Sequence, residues 1–504
     1  MKIYLKYAFF WFLIIISVIG MSCEKQDIRN PREIHRSPRI EPDYTGTIIP
    51  PNIAPLNFMI QEKALQYRID IVGGEGKPIE IHSSKPDIRI PISQWKDLLV
   101  RNRGKEIRFV VTAQDLQNQW VRFDPIRNQI AQEEIDPYLV YRLMPPLYMY
   151  WKKMGIYQRD LENFDEKQIL DNKPLNDGCF NCHSFLHNSP DNWMIHFRGA
   201  PLTGMLLSIG GKTTFIKTQT EFNKAPAGHP AWHPSGKYLA FSVYKVRQFF
   251  HTRGVNRDAL DIVSDIILYN VESNTISACQ SIADTNRYET YPTWSTDGRW
   301  LYFCSTQSFD SIEVLKNENY KNVKYDLMRI EFNPQTATFG KLETFLASSE
   351  TGMSITFPRF SPDGRYLLFT MSEYGSFPLA RSSGHLYVMD MQSRQIRKLA
   401  CNSERSDSYH SWSSNGRWIA FSSRREDGIS ARPYFSYFDE QGNASKAFVL
   451  PQEDPAFYES ALQTFNIPEL ITSPIPQSPQ ELIKIARETD KSLNAKYYGS
   501  GELH

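Results

Sequence analysis

A tandem repeat is the feature of this sequence that most constrains its fold. Four segments superimpose without gaps, and in each a ring side chain is followed three residues later by a second ring. A Gly-containing turn and an alternating apolar strand come next. The four segments are HPAWHPSGKYLAFS (229–242), YPTWSTDGRWLYFC (291–304), FPRFSPDGRYLLFT (357–370) and YHSWSSNGRWIAFS (409–422). Their turn glycines lie 62, 66 and 52 residues apart, a period typical of a repeated four-stranded unit.

Each unit predicts a hairpin, with an inner strand before the turn and the next strand after it. The Ser-x-Asp/Asn-Gly step supplies a tight turn because Gly reaches positive φ without strain. A third strand is expected in each unit, at 265–271, 325–332, 385–391 and 432–438. One such sheet cannot bury both of its faces alone, so neighbouring sheets must stack. We therefore expect four ring side chains to be buried between adjacent sheets: Trp232, Trp294, Phe360 and Trp412.

A fifth, degenerate copy precedes these four. SPDNWMIHF (189–197) aligns with SPDGRYLLF (361–369), with Asn192 in place of the turn glycine. Asn is the next best residue for a left-handed turn. The segments MLLSIGG (205–211) and TTFIKTQ (213–219) are its expected outer strands.

These repeats resemble the TolB-like propeller family, whose motif is close to Pro-x-Trp-Ser-Pro-Asp-Gly-Lys/Arg-x-Leu/Ile-x-Phe. The resemblance covers about residues 185–450. It implies a mainly β fold built around a β-propeller, commonly with six blades and with protein-partner surfaces at the mouth of the ring. Five blades can be counted here. A sixth is missing, degenerate, or completed by residues 455–475.

The N-terminus has the sequence features of a secretory signal peptide. Lys2 and Lys6 precede an apolar run at 8–19, which is shorter than the roughly 20 residues of a spanning helix. Cys23 follows at once and resembles the lipid-bearing cysteine of bacterial lipoproteins, although Gly20 stands where Leu is usual. We expect a membrane anchor through lipid on Cys23 and a place in the cell envelope, at the outer membrane, facing the periplasm or the cell surface. A plain cleaved signal and an uncleaved anchor are the alternatives.

The remaining segments complete a domain plan. Short alternating runs at 65–72, 78–83, 88–93, 106–113 and 120–126, separated by Gly, Pro, Asp and Asn, predict the strands of a small β-sandwich. The aromatic-rich stretch 137–165 predicts short helices broken at Pro145-Pro146. The expected order is a signal peptide (1–22), a polar tether (23–48), the sandwich (49–135), a helical linker (136–184), the propeller (185–455) and a C-terminal closing segment (456–504).

Composition narrows the classes of function. The formal net charge is +1, so no basic field points to nucleic acid as a partner. Six cysteines in 504 residues are too few for a disulfide scaffold. No G-x-S-x-G, P-loop or H-E-x-x-H sequence is present, so no hydrolase or transferase is indicated, and any enzyme activity would be a redox activity.

One motif carries possible chemistry: Cys179-Phe180-Asn181-Cys182-His183. C-x-x-C-H is the attachment signature of c-type haem. The thiols of Cys179 and Cys182 would add to the two vinyl groups of one haem c, and His183 would be the proximal iron ligand. A local Cys179–Cys182 disulfide and a zinc site are the alternatives. Met194 and His196 are candidates for the sixth iron ligand, two residues apart on one predicted strand.

Two functions follow from these features. The first is an envelope lipoprotein with one covalent haem c that transfers electrons to a redox partner or senses a ligand. The second is a non-redox propeller scaffold that binds a protein partner at the ring mouth, with the cysteine pair as a local brace. An enzyme acting on envelope glycans or peptides is a third and weaker alternative.

Overall fold

The structure is a computed structural model that describes residues 28, 30–144, 153–199, 202–249, 258–278, 281–283, 285–488 and 490–498. The expected signal peptide and Cys23 lie outside these residues. No helix in the described part of the chain combines the length and the apolar character that crossing a membrane requires.

The N-terminal part is built on two small sheets and one helix. A seven-stranded sheet contains β1 (Arg32–Ile34), β3 (Ile48–Ile49), β5 (Gln66–Val72), β6 (Ile79–Ser83), β8 (Glu106–Gln114), β9 (Trp120–Phe123) and β10 (Ile126–Ile130). A three-stranded sheet contains β2 (Ile40–Glu41), β4 (Phe58–Ile60) and β7 (Asp87–Ile88). Helix α1 (Ile92–Arg101) buries Trp95, Leu98 and Leu99.

Two expectations for this part were wrong. The polar segment up to residue 48 is not a free tether, because β1 pairs in parallel with β9 and β2 pairs with β4. The alternating run at 88–93 forms only the end of β7 and then enters α1, because the apolar spacing of Trp95, Leu98 and Leu99 suits a helix face. The strands expected near 65–72, 78–83, 106–113 and 120–126 are present.

The rest of the chain forms six sheets of four or five strands. Sheet 1 contains β14 (Cys179–Phe185), β15 (Trp193–Arg198), β16 (Gly204–Ile209), β17 (Lys212–Lys217) and β35 (Leu493–Asn494). Sheet 2 contains β18 (Ala227–Trp232), β19 (Tyr238–Phe249), β20 (Asp258–Asn270), β21 (Thr275–Ala278) and β36 (Lys496–Tyr497). Sheet 3 contains β22 (Arg287–Trp294), β23 (Trp300–Gln307), β24 (Asp326–Asn333) and β25 (Thr338–Leu346).

The remaining three sheets follow the same antiparallel plan. Sheet 4 contains β26 (Ser354–Phe360), β27 (Tyr366–Ser372), β28 (His385–Asp390) and β29 (Ile396–Lys398). Sheet 5 contains β30 (Asp407–Trp412), β31 (Trp418–Ser423), β32 (Arg432–Tyr437) and β33 (Phe448–Val449). Sheet 6 contains β34 (Thr464–Ile471), β11 (Tyr138–Met144), β12 (Gly155–Asp160) and β13 (Glu166–Asp171).

Three short α-helices lie outside the sheets of this part of the chain. They are α2 (Ser348–Thr351), α3 (Phe457–Ser460) and α4 (Pro479–Arg487). Helix α4 contacts β13 and β17, and so covers the outer strands of sheets 6 and 1. The hydroxyl of Ser478 accepts a hydrogen bond from the Glu481 backbone N–H at 3.2 Å and caps its N-terminus.

The first strand of each sheet faces a common centre. These six inner strands are β14, β18, β22, β26, β30 and β34, and each contacts the next around the set, with β34 contacting β14. The fold is therefore mainly β and arranged as in a β-propeller. Every strand expected from the four repeats is present, and so are the outer strands expected for the degenerate copy.

The expected helical linker was wrong where the structure describes it. Residues 138–144, 155–160 and 166–171 are strands of sheet 6, and β34 pairs with β11 from the far end of the chain. The five central residues of β11, Leu139 to Leu143, are all buried, so the run has no strand-like alternation, and tertiary pairing decides the outcome between helix and strand in such ambiguous runs. Pro145 and Pro146 lie outside the described residues.

The N-terminal part is attached to the side of sheet 5. The Trp418 indole N–H donates to the Glu133 carbonyl at 3.1 Å, and the Ser414 backbone N–H donates to the Asp136 carboxylate at 2.7 Å. One apolar core runs through both parts and includes Ile49, Leu139 and Phe435 among its buried members. The two parts are thus packed together through a shared core.

Candidate ligand site on the axis

Every inner strand carries a β-bulge at the same place. One residue at each bulge has a positive φ between 50° and 61°, which is uncommon for a residue other than Gly. A bulge leaves one residue unpaired and re-aims its side chain. We call these six residues the plug: Cys182, His229, Tyr291, Phe357, Tyr409 and Ile467.

The plug side chains pack on one another and close the axis. Ring centroids lie 4.2 Å apart for His229 and Tyr291, 4.3 Å for Tyr291 and Phe357, and 4.5 Å for Phe357 and Tyr409. The Cys182 Sγ lies 3.7 Å from His229 Nδ1 and accepts the His229 backbone N–H at 3.2 Å. No plug residue is more than 8% exposed.

The C-x-x-C-H motif lies on β14, an inner strand, and not in a linker ahead of the first sheet. A 3-10 turn at Leu186–Asn188 separates β14 from β15. These additional residues hid the inner strand from a gap-free alignment of the degenerate copy. Cys182 therefore holds the place that ring side chains hold in the four regular repeats.

All three motif side chains are enclosed. Cys179 is 8%, Cys182 3% and His183 1% exposed. Burial raises the pKa of both thiols. Burial, with the nearby Arg142 cation, lowers the pKa of His183 to about 3. The groups are thus uncharged at neutral pH, and both cysteines are free thiols, so the alternative local disulfide is not formed.

The two candidates for a sixth ligand lie on the wrong face of sheet 1. His183 pairs directly with Ile195 across β14 and β15, and directly opposed residues share a face. Met194 and His196 flank Ile195 in sequence and point to the other face, where His196 packs on Phe241 of sheet 2 with 4.9 Å between ring centroids. One iron cannot be bound from both faces of a sheet.

A covalent haem does not fit this packing. Two thioethers and an axial imidazole require a common open space for the macrocycle. The ring nitrogens of His183 make no hydrogen bond of normal geometry with described residues, which would leave one of them available to bind iron. The backbones of Val140 and Ile467 lie against the imidazole ring, however. Neither the thiols nor His183 line the axial cavity, and among the described residues no three His, Cys, Asp or Glu side chains converge.

A cavity of about 450 Å³ opens on the axis next to the plug. Two residues beyond each plug residue, every inner strand contributes one side chain to its lining. We call this set the cavity ring: Ser184, Ala231, Thr293, Arg359, Ser411 and Glu469. Four of the six are small, so the space that large side chains fill in the plug stays open here.

Tryptophans form the wall of this cavity. The indole N–H of each donates to the carbonyl of the cavity-ring residue on the preceding sheet, with Trp232 to Ser184 at 3.3 Å and Trp294 to Ala231 at 3.2 Å. Trp412 donates to the Arg359 carbonyl at 3.2 Å. The three tryptophans expected between sheets are thus buried there, and their hydrogen bonds tie each sheet to the preceding one. Phe360, the fourth ring expected to be buried, is only partly buried.

Two cavity-ring residues are ionisable and lie on sheets 4 and 6. Burial raises the pKa of Glu469 to about 7, with Arg359 opposing the shift. Burial lowers the pKa of Arg359, with Glu469 opposing the shift. The charge of each side chain thus affects the pKa of the other, yet the two form no ion pair within 4.0 Å. The cavity therefore presents a cation and a carboxyl group separately.

The 3-10 turn Leu186–Asn188 reaches over the mouth of the cavity. The Asn188 side-chain amide donates to the carbonyls of Trp412 at 2.9 Å and Leu470 at 2.8 Å. The Asn188 backbone carbonyl accepts the Thr472 backbone N–H at 3.0 Å. His187 on the same turn lines the cavity. This turn joins sheet 1 to sheets 5 and 6 at the mouth.

The residues of the cavity ring were not predicted from the sequence. A signal was present, because the third position of the repeat carries Ala231, Thr293 and Ser411 but Arg359 in the third copy. An Arg at a repeat position that otherwise holds small residues indicates a role other than packing. No repeat signal marked Glu469, because β34 lacks the motif.

Comparisons with known proteins add only distant likenesses. No protein-family model and no curated protein matches the chain. Among solved structures, the Dos1 propeller is 10% identical, with 55% of this chain and 62% of that chain covered and a TM-score of 0.34. The Myceliophteria thermophila Cps50 (Swd1) β-propeller domain is 11% identical, with 54% and 71% covered and a TM-score of 0.30.

A nidogen/laminin complex chain is 8% identical, with 67% of this chain and 99% of that chain covered and a TM-score of 0.37. Likenesses this distant carry no argument about function. The propeller arrangement rests on the sheets of the chain itself.

Proposed function

We propose that this protein is a non-redox binding protein of the cell envelope, anchored by lipid on Cys23, in which six TolB-like blades surround a ligand-binding axial cavity. The repeats and the contacts between consecutive inner strands support the six blades. The signal-like N-terminus supports the location. The observation that carries the proposal is the cavity, in which Arg359 and Glu469 are presented without being paired to each other.

The enclosed C-x-x-C-H motif is the reason to favour binding over electron transfer. We expect protein produced with haem-maturation machinery to be colourless after purification. The measurement is the reduced visible absorption spectrum of the wild type, with the double variant Cys179→Ala, Cys182→Ala as its baseline. A sharp α-band that the double variant lacks would overturn the non-redox proposal.

The binding role is tested by blocking the cavity. We expect the low-molecular-mass fraction of a bacterial envelope extract to raise the Tm of the wild type, because a ligand that binds only the folded state stabilises it. Thr293→Phe fills the cavity and should lose the shift, and Arg359→Gln, which adds no bulk, should reduce it.

The matched control is Thr338→Phe at the exposed start of β25. It should keep the full shift. Equal shifts in all variants, or no shift in the wild type, would contradict a ligand in the axial cavity. The anchor is tested separately: Cys23→Ser should move the protein from the detergent phase to the aqueous phase in a Triton X-114 partition.

A further inference from the structure

The two charged side chains of the cavity ring are half-buried and have no partner of opposite charge within ion-pair distance among the described residues. The Arg359 guanidinium makes no hydrogen bond or ion pair with the residues that the structure describes. The Glu469 carboxylate has one hydrogen-bonding contact there, with the Phe185 backbone. Withdrawing an ionised group from water without a partner is unfavourable, and the cost grows with burial. Structural charges in such places are normally paired, and these two are held apart.

The chemistry of the two groups defines what would complete them. A guanidinium pairs best with a carboxylate, through two parallel N–H···O bonds. A carboxylate pairs best with an ammonium or another charged donor. A ligand that satisfies both from one position carries an anion and a cation on the same small molecule.

The space around the two groups limits the size of that molecule. The cavity of about 450 Å³ lies within the range of roughly 300–1,000 Å³ usual for small-ligand sites. Trp232, Trp294 and Trp412 line it and offer apolar surface, while Ser184 and Thr293 offer hydroxyl groups. These walls suit a compact zwitterion with an apolar side chain.

We propose that the axial cavity binds a zwitterionic α-amino acid or short peptide, with the ligand's carboxylate at Arg359 and its ammonium at Glu469. This inference rests on the proposed function and specifies its ligand. A free amino acid and a dipeptide share the same pair of charges, so the two sources must be separated by experiment.

Isothermal titration calorimetry of the full chain at pH 7, where α-amino groups with a pKa of about 7.7–8.0 are mostly protonated, tests the assignment. The probes are L-phenylalanine and L-alanyl-L-phenylalanine as zwitterions, N-acetyl-L-phenylalanine without the ammonium, L-phenylalanine amide without the carboxylate, and glucose without charge. We expect at least one zwitterion to bind and both singly charged analogues to bind at least tenfold more weakly. Binding of the dipeptide alone identifies a peptide source, and binding of L-phenylalanine identifies a free amino acid.

Variants assign each charge to its group. Glu469→Gln should abolish the preference for a free ammonium, and Arg359→Gln the preference for a free carboxylate. The controls Arg299→Gln and Glu404→Gln change exposed residues away from the cavity and should leave both preferences intact.

The outcomes separate this inference from the proposed function. If the singly charged analogues or glucose bind as tightly as the zwitterions, the assignment is wrong while a ligand in the cavity remains. If no probe binds but the envelope extract still stabilises the wild type and not Thr293→Phe, the assignment is again wrong and the binding role survives. If neither probe nor extract has an effect, both fail.

Discussion

The plug and the cavity ring are built on the same six strands, two residues apart, and yet they are opposite in character. The plug brings together rings and other bulky groups, closes the axis and leaves no member more than 8% exposed. The cavity ring uses small side chains with one Arg and one Glu, and leaves about 450 Å³ open. A repeated backbone with a repeated bulge can therefore produce a core and a binding site side by side. The side chain at each position decides between them.

The largest expected effect is the loss of a plug ring. Phe357→Ala should lower the free energy of unfolding by about 3–5 kcal/mol, because it leaves a void among closely packed rings. Urea unfolding of the purified protein measures it. Leu342→Ala on β25, where the side chain is 38% exposed, should cost less than about 1 kcal/mol. Similar losses in both variants would show that the plug is not a packed core.

Removing the charge of a cavity-ring residue should have the opposite effect on the free energy of unfolding, and stabilise the folded state. The folded state holds the pKa of Glu469 at about 7, above its ordinary value of 4.5, so the folded state disfavours the ionised form. Below pH 4.5 the Glu469 carboxyl is mostly protonated in both the folded and the unfolded state, so it does not destabilise the folded state. The penalty grows as pH rises and is complete above about 7. Arg359 and His187 also line this cavity, and the Arg359 cation reduces the shift.

Glu469→Gln should therefore stabilise the protein at pH 8 by up to about 3 kcal/mol and have little effect at pH 4. Urea unfolding at the two pH values gives the comparison. The exposed Glu404→Gln serves as its control. A destabilising effect at pH 8 would mean that Glu469 has a structural partner and is not free for a ligand.

The hydrogen bonds between sheets should matter less than the plug. Trp294→Phe removes the indole N–H that the Ala231 carbonyl accepts at 3.2 Å, and should cost about 1–2 kcal/mol because a buried acceptor is left unpaired. Phe360 occupies the same repeat position in sheet 4, so a phenyl ring is compatible with the site. Thermal unfolding measures the change. A loss as large as that of Phe357→Ala would erase the distinction between plug and wall.

The smallest effect is expected at a hydroxyl of the cavity ring. The Ser411 Oγ–H donates to the Pro468 carbonyl at 2.7 Å and ties sheet 5 to sheet 6. Ser411→Ala should cost about 0.5–1.5 kcal/mol, because the Pro468 carbonyl loses its donor. Urea unfolding of the purified variant measures the change, and a loss as large as that of Trp294→Phe would contradict this order of effects.

The expectations that succeeded were those set by local pattern. Alternating apolar residues bounded by turn residues produced the strands of all four repeats, and Gly298 and Gly364 have the positive φ values of 70° and 72° expected of their turns. Predictions for the region before residue 179 were wrong more often, because its apolar runs are short and suit either helix or strand. There β11 becomes a strand by pairing with β34, which no local window contains.

The motif at 179–183 shows a different limit. Its spacing is the same on a helix, where two thiols and an imidazole can share a side, and on a strand, where neighbours point to opposite faces. Sequence identified the residues but not the element that carries them. Cys182 lies in the plug because β14 has a β-bulge at this residue, and because sheet 2 places His229 against its thiol.

By itself, the sequence determined the repeat, its turns, the tryptophans between sheets and the signal-like N-terminus, because each depends on residues close together in the chain. The tertiary structure decided the sixth sheet, the closure of the axis and the enclosure of the C-x-x-C-H motif. It also decided the meeting of Arg359 with Glu469 around one cavity. The physical reason is that one face of a strand becomes core or site only according to what the neighbouring sheets place opposite it.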